Sequence, residues 1–538
     1  MPSKNVKVKM RHTIKHLKRS PATVPLLGHR LDIMLKIIKS RWAERIFLLF
    51  MLCASLFLFL ANLGNQYLWQ DEAQTAVISK TILTHGLPVG YDGKNYFSQE
   101  LGAEYGKNYI WKWHTWLPFY LLAAFFKLFG TSTFVARLPF ALFGIGSVFM
   151  TYWLCKVLWH SPKIAVTAAI LLLFSVPFLV LSRQCRYYSL AAFFSLWSLV
   201  SYAQMLDRKK YAGVGFVLST IFLFHTHYIY YATLFATVFT HTILFHRQRF
   251  KQLSILSAIS ILVNLPWVIW LAGMKYGQTY VSFFDTTKFI VFGSEYISWL
   301  TTKTKTFPPL LLLLIPVICI ANRIKTKSFF SSNIAFWQKL LLLLFFVLYN
   351  LITLAIASPR PFFRYLAPLV APTTIVVAIL IVAAARLHWV VSVAIIAILI
   401  STGSFADFIY ELTHDFDGPI DGIVKFLNEN GSENDVVAIT YGDMPLKFYT
   451  KMRIVGGLTG EDLSIAKQAK WVILRKYFIS EKDFAVRKYL LENIPWHNYR
   501  PVVINYPDTA YENRENLDMH HFRTILNESR VVIYQRIK

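Results

Sequence analysis

Residues 45–74 read RIFLLFMLCASLFLFLANLGNQYLWQDEAQ. The apolar run Ile46 to Leu63 covers 18 positions. As a helix it extends ~27 Å, close to the ~30 Å of bilayer hydrocarbon. Upstream, residues 1–45 carry 12 Lys+Arg and 2 Asp+Glu. No small-residue cleavage site follows a short apolar core, so the run reads as a retained first span and not a signal peptide. A basic flank stays on the cytoplasmic side. Eight residues past the run, beside Trp69, stand two adjacent carboxylates, Asp71 and Glu72. This placement puts them at the outer interface, where burying charge is costly.

The rest of the chain repeats the first half of that pattern. Of 538 residues, 55% are hydrophobic and 16% charged, with a mean hydropathy of +0.44. Soluble domains carry about 25% charged residues. A disulfide scaffold, a disordered tail and an ordinary soluble enzyme are excluded. The net charge of +27 would suggest nucleic acid in a soluble protein. Its distribution says otherwise. Residues 405–538 hold 17 Lys+Arg and 19 Asp+Glu, which leaves 39 basic and 10 acidic residues in the first 404. The excess lies in the apolar part, where it marks loops and touches membrane lipids; nucleic acid is not an expected partner. Cys53, Cys155, Cys185 and Cys319 show no metal-ligand spacing and read as core thiols.

Apolar runs recur at about 46–63, 134–157, 164–182, 187–206, 211–227, 228–245, 252–272, 307–321, 340–357, 365–384 and 389–406. Basic connectors at 156–163, 207–210, 246–251, 323–339 and Arg386 belong inside. The stretch 64–133, the Arg183–Arg186 turn, the His225–Tyr228 turn, 273–306 and Ser358–Arg364 then fall outside. The expectation is a polytopic α-helical membrane protein of about 11 transmembrane helices. Leu117 to Phe129 is too short to span and would invert every later basic loop if counted. It is expected as a helix on the outer membrane surface, with Pro118 in its first turn and Gly130 at its end. Glu72–Leu83 is a second short helix candidate, ended by Gly86 and Pro88. Beyond Phe405, apolar pieces at Phe426–Leu427, Val436–Ile439, Trp471–Leu474, Val502–Ile504 and Val531–Ile533 look like strands or helix faces. They alternate with helical spacing at Ile420–Asn430 and Glu481–Glu492. A small external α/β domain is expected there. The division is thus 1–45, a basic cytoplasmic N-terminus; 46–406, the membrane domain with its first external loop at 64–133; and 407–538, the external domain.

Acids are scarce before Phe405 and none lies within an expected span. Asp71 and Glu72 suit general base catalysis; a solvated helix N-terminus explains them as well. Arg183 and Arg186, in LSRQCRYYSL, and Arg360 and Arg364, in SPRPFFRYLAP, break the positive-inside trend. An outside guanidinium at a span end, followed by Tyr187 or Tyr365, suits a phosphate at headgroup level. Snorkelling is the bland alternative. Arg137, in VARLPFA, reads as structural. His114, His225 and His227 also fall outside. Histidines at i and i+2 do not share a helix face, so substrate hydrogen bonding or packing is favoured over a metal.

These elements in this order resemble the GT-C glycosyltransferases that use polyprenyl-phosphate sugars, and most of all the protein O-mannosyltransferases and lipid A aminoarabinose transferases. The matching pieces are Asp71–Glu72 after the first span, WHTWLPFYLLAAFFKLFG, TSTFVARLPFALFG, SRQCRYYSL, the HTHY turn and RYLAPLVAP. They cover residues 45–385. The resemblance implies the GT-C fold and inverting transfer of one hexosyl or pentosyl unit. The donor would be a polyprenyl-phosphate sugar, and the acceptor a lipid, glycan or protein at the outer face of the plasma membrane. Asp71 would be the base and Glu72 would shape the pocket or assist. Arg183, Arg186 and Arg364, with Tyr187 and Tyr365, would hold the lipid phosphate, and His114 and His227 would line the substrate site. No cofactor is implied, and a divalent metal stays open. Thr-Trp-Leu-Pro stands where the family has Pro-Pro after the histidine. The WWDYG signature of oligosaccharyltransferases is absent, and no β-trefoil insertion is seen. The rival classes are a transporter or flippase, which places ionisable residues at the midplane and shows repeats, and a membrane scaffold.

Overall fold

The computed structural model describes residues 24–274, 285–302, 334–385, 389–401, 404–476, 481–510 and 512–537. Seven helices among them are long and apolar enough to cross a membrane: Trp42–Leu60, Thr133–Trp159, Tyr188–Leu206, Tyr228–Phe245, Arg247–Gly273, Ile334–Ala357 and Phe363–Ala384. Two helix pairs add bent spans. Pro162–Leu173 and Val176–Ser182 meet at 64°, and Val393–Ser401 and Phe405–Thr413 at 57°. Pro177, in the first turn after the first break, cannot continue the ladder of the preceding helix. The expected run at 211–227 forms a shorter apolar helix, Ala212–Thr226. The run at 307–321 and Cys319 lie outside the described residues. The chain is a multi-pass membrane protein.

Leu117–Phe129 forms a helix with the expected bounds, Pro118 in its first turn and Gly130 at its C-cap. The other short helix runs Gln70–His85, longer than expected. Gly86 closes it at φ 71°, a conformation glycine adopts without cost. Thr286–Thr302 is an additional helix, which lies where only a connector was expected. Its Tyr296 hydroxyl donates to Ser358 Oγ at 2.9 Å. Cys155 and Cys185 are buried free thiols, whereas Cys53 is exposed and so corrects the core reading for that residue.

The C-terminal part contains a five-stranded sheet. Its strands are β1 (Val436–Ile439), β2 (Arg453–Gly456), β3 (Trp471–Ile473), β4 (Tyr499–Pro507) and β5 (Arg530–Arg536), in the spatial order β2-β1-β3-β5-β4. β2, β1 and β3 run parallel, and β5 and β4 continue antiparallel. Period-2 alternation divides the burial. Val437, Ile439 and Ile473 face helix Pro419–Asn430 through Ile420, Ile423 and Leu427. Ala438 and Val472 face helix Glu481–Asn493 through Val486 and Leu490. Phe426 and Leu427 belong to a helix, not a strand. Short helix Asp443–Tyr449 and β2 escaped the periodic reading.

This α/β part is tied to the first loop by polar contacts. Gln70 Nε2 donates to Asp443 Oδ1 at 2.6 Å, and Leu68 N to the Tyr449 hydroxyl at 2.9 Å. Asn95 bridges to β2, donating to Met452 O at 3.1 Å and accepting from Ile454 N at 2.8 Å. The Tyr67 and Tyr449 rings stack with centroids 4.2 Å apart.

Candidate active site

Asp71 and Glu72 both lie in the first turn of helix Gln70–His85. Neighbouring residues on a helix point about 100° apart, and this separates the pair. Neither is a solvated end-of-helix acid, because Glu72 is fully buried and the Asp71 side chain is 15% exposed.

Glu72 is consumed by structure. Arg137 grips it with a two-pronged fork, Nε to Oε1 at 2.8 Å and Nη2 to Oε2 at 2.7 Å. Cys185 N donates to Oε1 at 2.7 Å and Asn513 Nδ2 to Oε2 at 3.2 Å. Trp69 N reaches back to it at 3.4 Å. Arg137 also donates to the carbonyls of Leu63, Gln66 and Tyr67. Every lone pair of this carboxylate has a partner, which makes Glu72 the post around which the site is built.

Asp71 meets the arginines instead. Arg364 Nη1 lies 2.6 Å from Oδ2 and Arg186 Nη2 3.6 Å from it. Arg186 Nη1 also holds the Asp71 carbonyl at 3.1 Å and Thr75 Oγ1 at 3.0 Å. Burial pushes the Asp71 carboxyl up, but Arg364, Arg186, Arg514 and a hydrogen bond from Gln99 outweigh it and lower it to about 2. Among the described residues, two buried polar groups of this cluster have no hydrogen-bond partner, Arg186 Nε and the Tyr188 hydroxyl. Buried polar groups are rarely left unsatisfied, and both of these can donate to a ligand.

The sequence placed Arg183 beside them, and the structure corrects this. Its Nη1 donates to the carbonyls of Leu58, Phe59 and Ala61 at 2.9–3.2 Å, capping the end of the first helix. Arg360 is exposed and outside the cluster. Tyr187, His227 and Tyr365 form a wall, with ring centroids 4.8 Å apart for Tyr187–His227 and 6.2 Å for His227–Tyr365. His114 packs 6.3 Å from Tyr187. Burial first, then Arg186, pushes both histidines down, His227 to about 3. They are neutral at physiological pH. His225 packs on Trp267, apart from His227. Among the described residues no three His, Cys, Asp or Glu side chains converge as a metal-binding group.

Three site residues come from the α/β part and were not anticipated. Asn513 reaches Glu72, Arg514 lies over the Trp69 ring at 4.7 Å, and Glu515 Oε1 stands 3.4 Å from Arg364 Nη1. A small cleft, with room for little more than a water molecule, is lined by Trp69, Gln70, Tyr441, Glu512 and Arg514 among others.

Gln99 is delivered by a second buried acid. Glu104 accepts from Gln74 Nε2 at 2.8 Å and from the backbone N–H groups of Gln99 and Glu100 at 2.8–3.1 Å. Ser98 also donates to it. Burial nonetheless raises its pKa to about 7, against an ordinary 4.5. The folded state therefore disfavours ionisation. The stabilisation is full below pH ~4.5 and is lost as pH rises to ~7. Melting curves in detergent should show wild type losing up to about 3 kcal/mol over this window relative to Glu104→Gln. Parallel curves for the two proteins would refute it.

Residues 113–270 match the family described as dolichyl-phosphate-mannose-protein mannosyltransferase. The fold matches the crystal structure of ArnT from Cupriavidus metallidurans bound to undecaprenyl phosphate. That match has TM-score 0.56 and 12% identity and covers 90% of this chain and 97% of that one. The apo ArnT structure gives TM-score 0.57 at 12% identity, with 92% and 99% covered. The chain therefore has the fold of these ArnT structures, and its residues 113–270 are similar to that mannosyltransferase family. The cryo-electron microscopy structure of the arabinofuranosyltransferase AftD from Mycobacteria shares the GT-C fold at TM-score 0.51 and 12% identity. There the match covers 92% of this chain and 40% of that one. A search of curated protein sequences finds no match.

Proposed function

We propose that this chain is a GT-C glycosyltransferase, which transfers one sugar from a polyprenyl-phosphate donor to a hydroxyl acceptor on the outer face of the membrane. The acceptor class is a glycolipid, an envelope polysaccharide or a protein. The N-terminus would then be cytoplasmic, residues 46–406 would form the catalytic membrane domain, and 407–538 would lie outside. The observation that carries this reading is Asp71 held between Arg364 and Arg186, with open donors on Arg186 and Tyr188. An ArnT of the same fold holding undecaprenyl phosphate supports a lipid-phosphate donor.

In the reaction, the acceptor oxygen forms a bond to the anomeric carbon while the bond from that carbon to phosphate oxygen breaks. The bonding pair leaves on the phosphate, and the acceptor proton passes to Asp71. A single direct displacement inverts the anomeric centre. Arg186 and Arg364 stabilise the charge that gathers on the leaving phosphate. The low pKa of Asp71 suits this scheme. Without donor the arginines are spent on the carboxylate, which makes it a poor base. A bound phosphate takes a share of both guanidiniums and returns basicity to Asp71. Base strength thus depends on donor occupancy.

Arg364→Ala should raise the donor KM by about tenfold or more, as loss of a charged hydrogen bond predicts, with a smaller change in acceptor KM. Transfer assays with labelled polyprenyl-phosphate sugar in nanodiscs measure both. An unchanged donor KM would remove Arg364 from the phosphate site. Lipid movement across vesicles with no covalent product would favour a flippase instead.

A further inference from the structure

Glu515 stands beside Arg364 with no part in that reaction. It is 6% exposed, and its Oε1 lies 3.4 Å from the same Nη1 that Asp71 approaches at 2.6 Å. One guanidinium nitrogen is thus shared by two carboxylates. Glu515 is also held there by its flanks. Upstream, Asp508 Oδ1 and the Thr509 carbonyl are fixed on buried Arg475 at 2.6 and 2.7 Å. Asn513 is pinned at both ends, donating to Glu72 and accepting from Gln184 Nε2 at 3.1 Å. Downstream, His520 Nε2 meets Glu411 at 2.6 Å. An acid placed on an anion-binding arginine by this many contacts sets the local charge.

That charge can be counted. Asp71 and Glu515 face Arg186, Arg364 and Arg514, a sum of +1. The Glu72–Arg137 pair is neutral in itself; Asp508 and Glu512 pair with Arg475, and Glu512 shares a cleft with Arg514. His114 and His227 are uncharged, as above. The donor's phosphodiester carries one negative charge and balances the cluster. The product is a phosphate monoester, which approaches two negative charges above its second pKa of ~6. Glu515 repels the monoester about twice as strongly as the diester, since Coulomb energy scales with each charge.

We propose that Glu515 is a selectivity residue for the anion. Its carboxylate weakens the hold on a lipid phosphate monoester more than the hold on a lipid phosphodiester, and so favours exchange of product for donor. The inference rests on the lipid-phosphate reading above, and it assigns product release to the α/β part of the chain.

Two lipids test it on the full-length protein in detergent at pH 8, by calorimetry. Undecaprenyl phosphate represents the product, and its methyl ester represents a diester of one charge. Glu515→Gln should tighten the methyl ester about threefold and undecaprenyl phosphate about tenfold, because the two logarithms scale as the charges. Glu515→Asp should return both near wild type. If the glutamine variant melts early, Glu515→Ser must show the same two-to-one relation. Equal changes for both lipids, or weaker binding of both, would overturn the role of Glu515. Failure of wild type to bind either lipid would instead overturn the lipid-phosphate reading, and this inference with it.

Discussion

Asp71→Asn is expected to lower transfer by about 10²–10⁴-fold, the contribution typical of a positioned base. The amide keeps the shape of the carboxylate but takes no proton. It also gives up the charge that now occupies Arg364 and Arg186 at 2.6 and 3.6 Å. Those two guanidiniums become freer for phosphate. The loss should therefore appear in kcat, while the donor binds as well as in wild type or better. This split separates loss of a base from damage to the site, which would weaken both. Steady-state kinetics with titrated lipid donor read the two terms. Activity within a few-fold of wild type would exclude Asp71 as the base.

Glu72→Ala should act on the fold. Removing one partner of a buried ion pair costs about 3–5 kcal/mol, because the other charge is left uncompensated. Here the stranded charge is Arg137, which also ties down the carbonyls of Leu63, Gln66 and Tyr67. The same substitution frees Cys185 N and Asn513. A lower melting midpoint and poor recovery of folded protein are expected. A double variant, Glu72→Gln with Arg137→Met, removes both charges and should regain part of the loss. A Glu72→Ala protein that melts like wild type yet is inactive would return Glu72 to the chemistry.

The two acids look alike in LWQDEAQ, and the residues alone could not part them; only the family resemblance gave Asp71 the base's role and Glu72 the pocket. Their difference arises from partners at positions 137, 186 and 364, which a linear reading does not bring together. Where a signal was local, it was readable. Leu117–Phe129 was bounded by its own proline and glycine, and β1 by its run of β-branched residues. The low Asp/Glu count in the membrane part made Asp71 conspicuous. The same logic failed in the α/β part. There 17 basic and 19 acidic residues are mixed, so Arg514 and Glu515 resemble any solvated surface pair. Arg183 and Arg186 shared one motif and one topological position. Only the carbonyls of the first helix's final turn show that Arg183 is already spent.

The segment 513–515 is also the last part of the site to be synthesised. Ribosomes complete every helix of the membrane part before Asn513, Arg514 and Glu515 are made. Until the α/β part folds and delivers them, Glu72 lacks one of its donors and Arg364 one of its acids. A nascent chain already threaded into the bilayer would then carry an unfinished catalytic centre. Under the proposed reaction, activity would begin only once the late-made sheet has folded, and a half-built chain would consume no lipid-linked sugar before then.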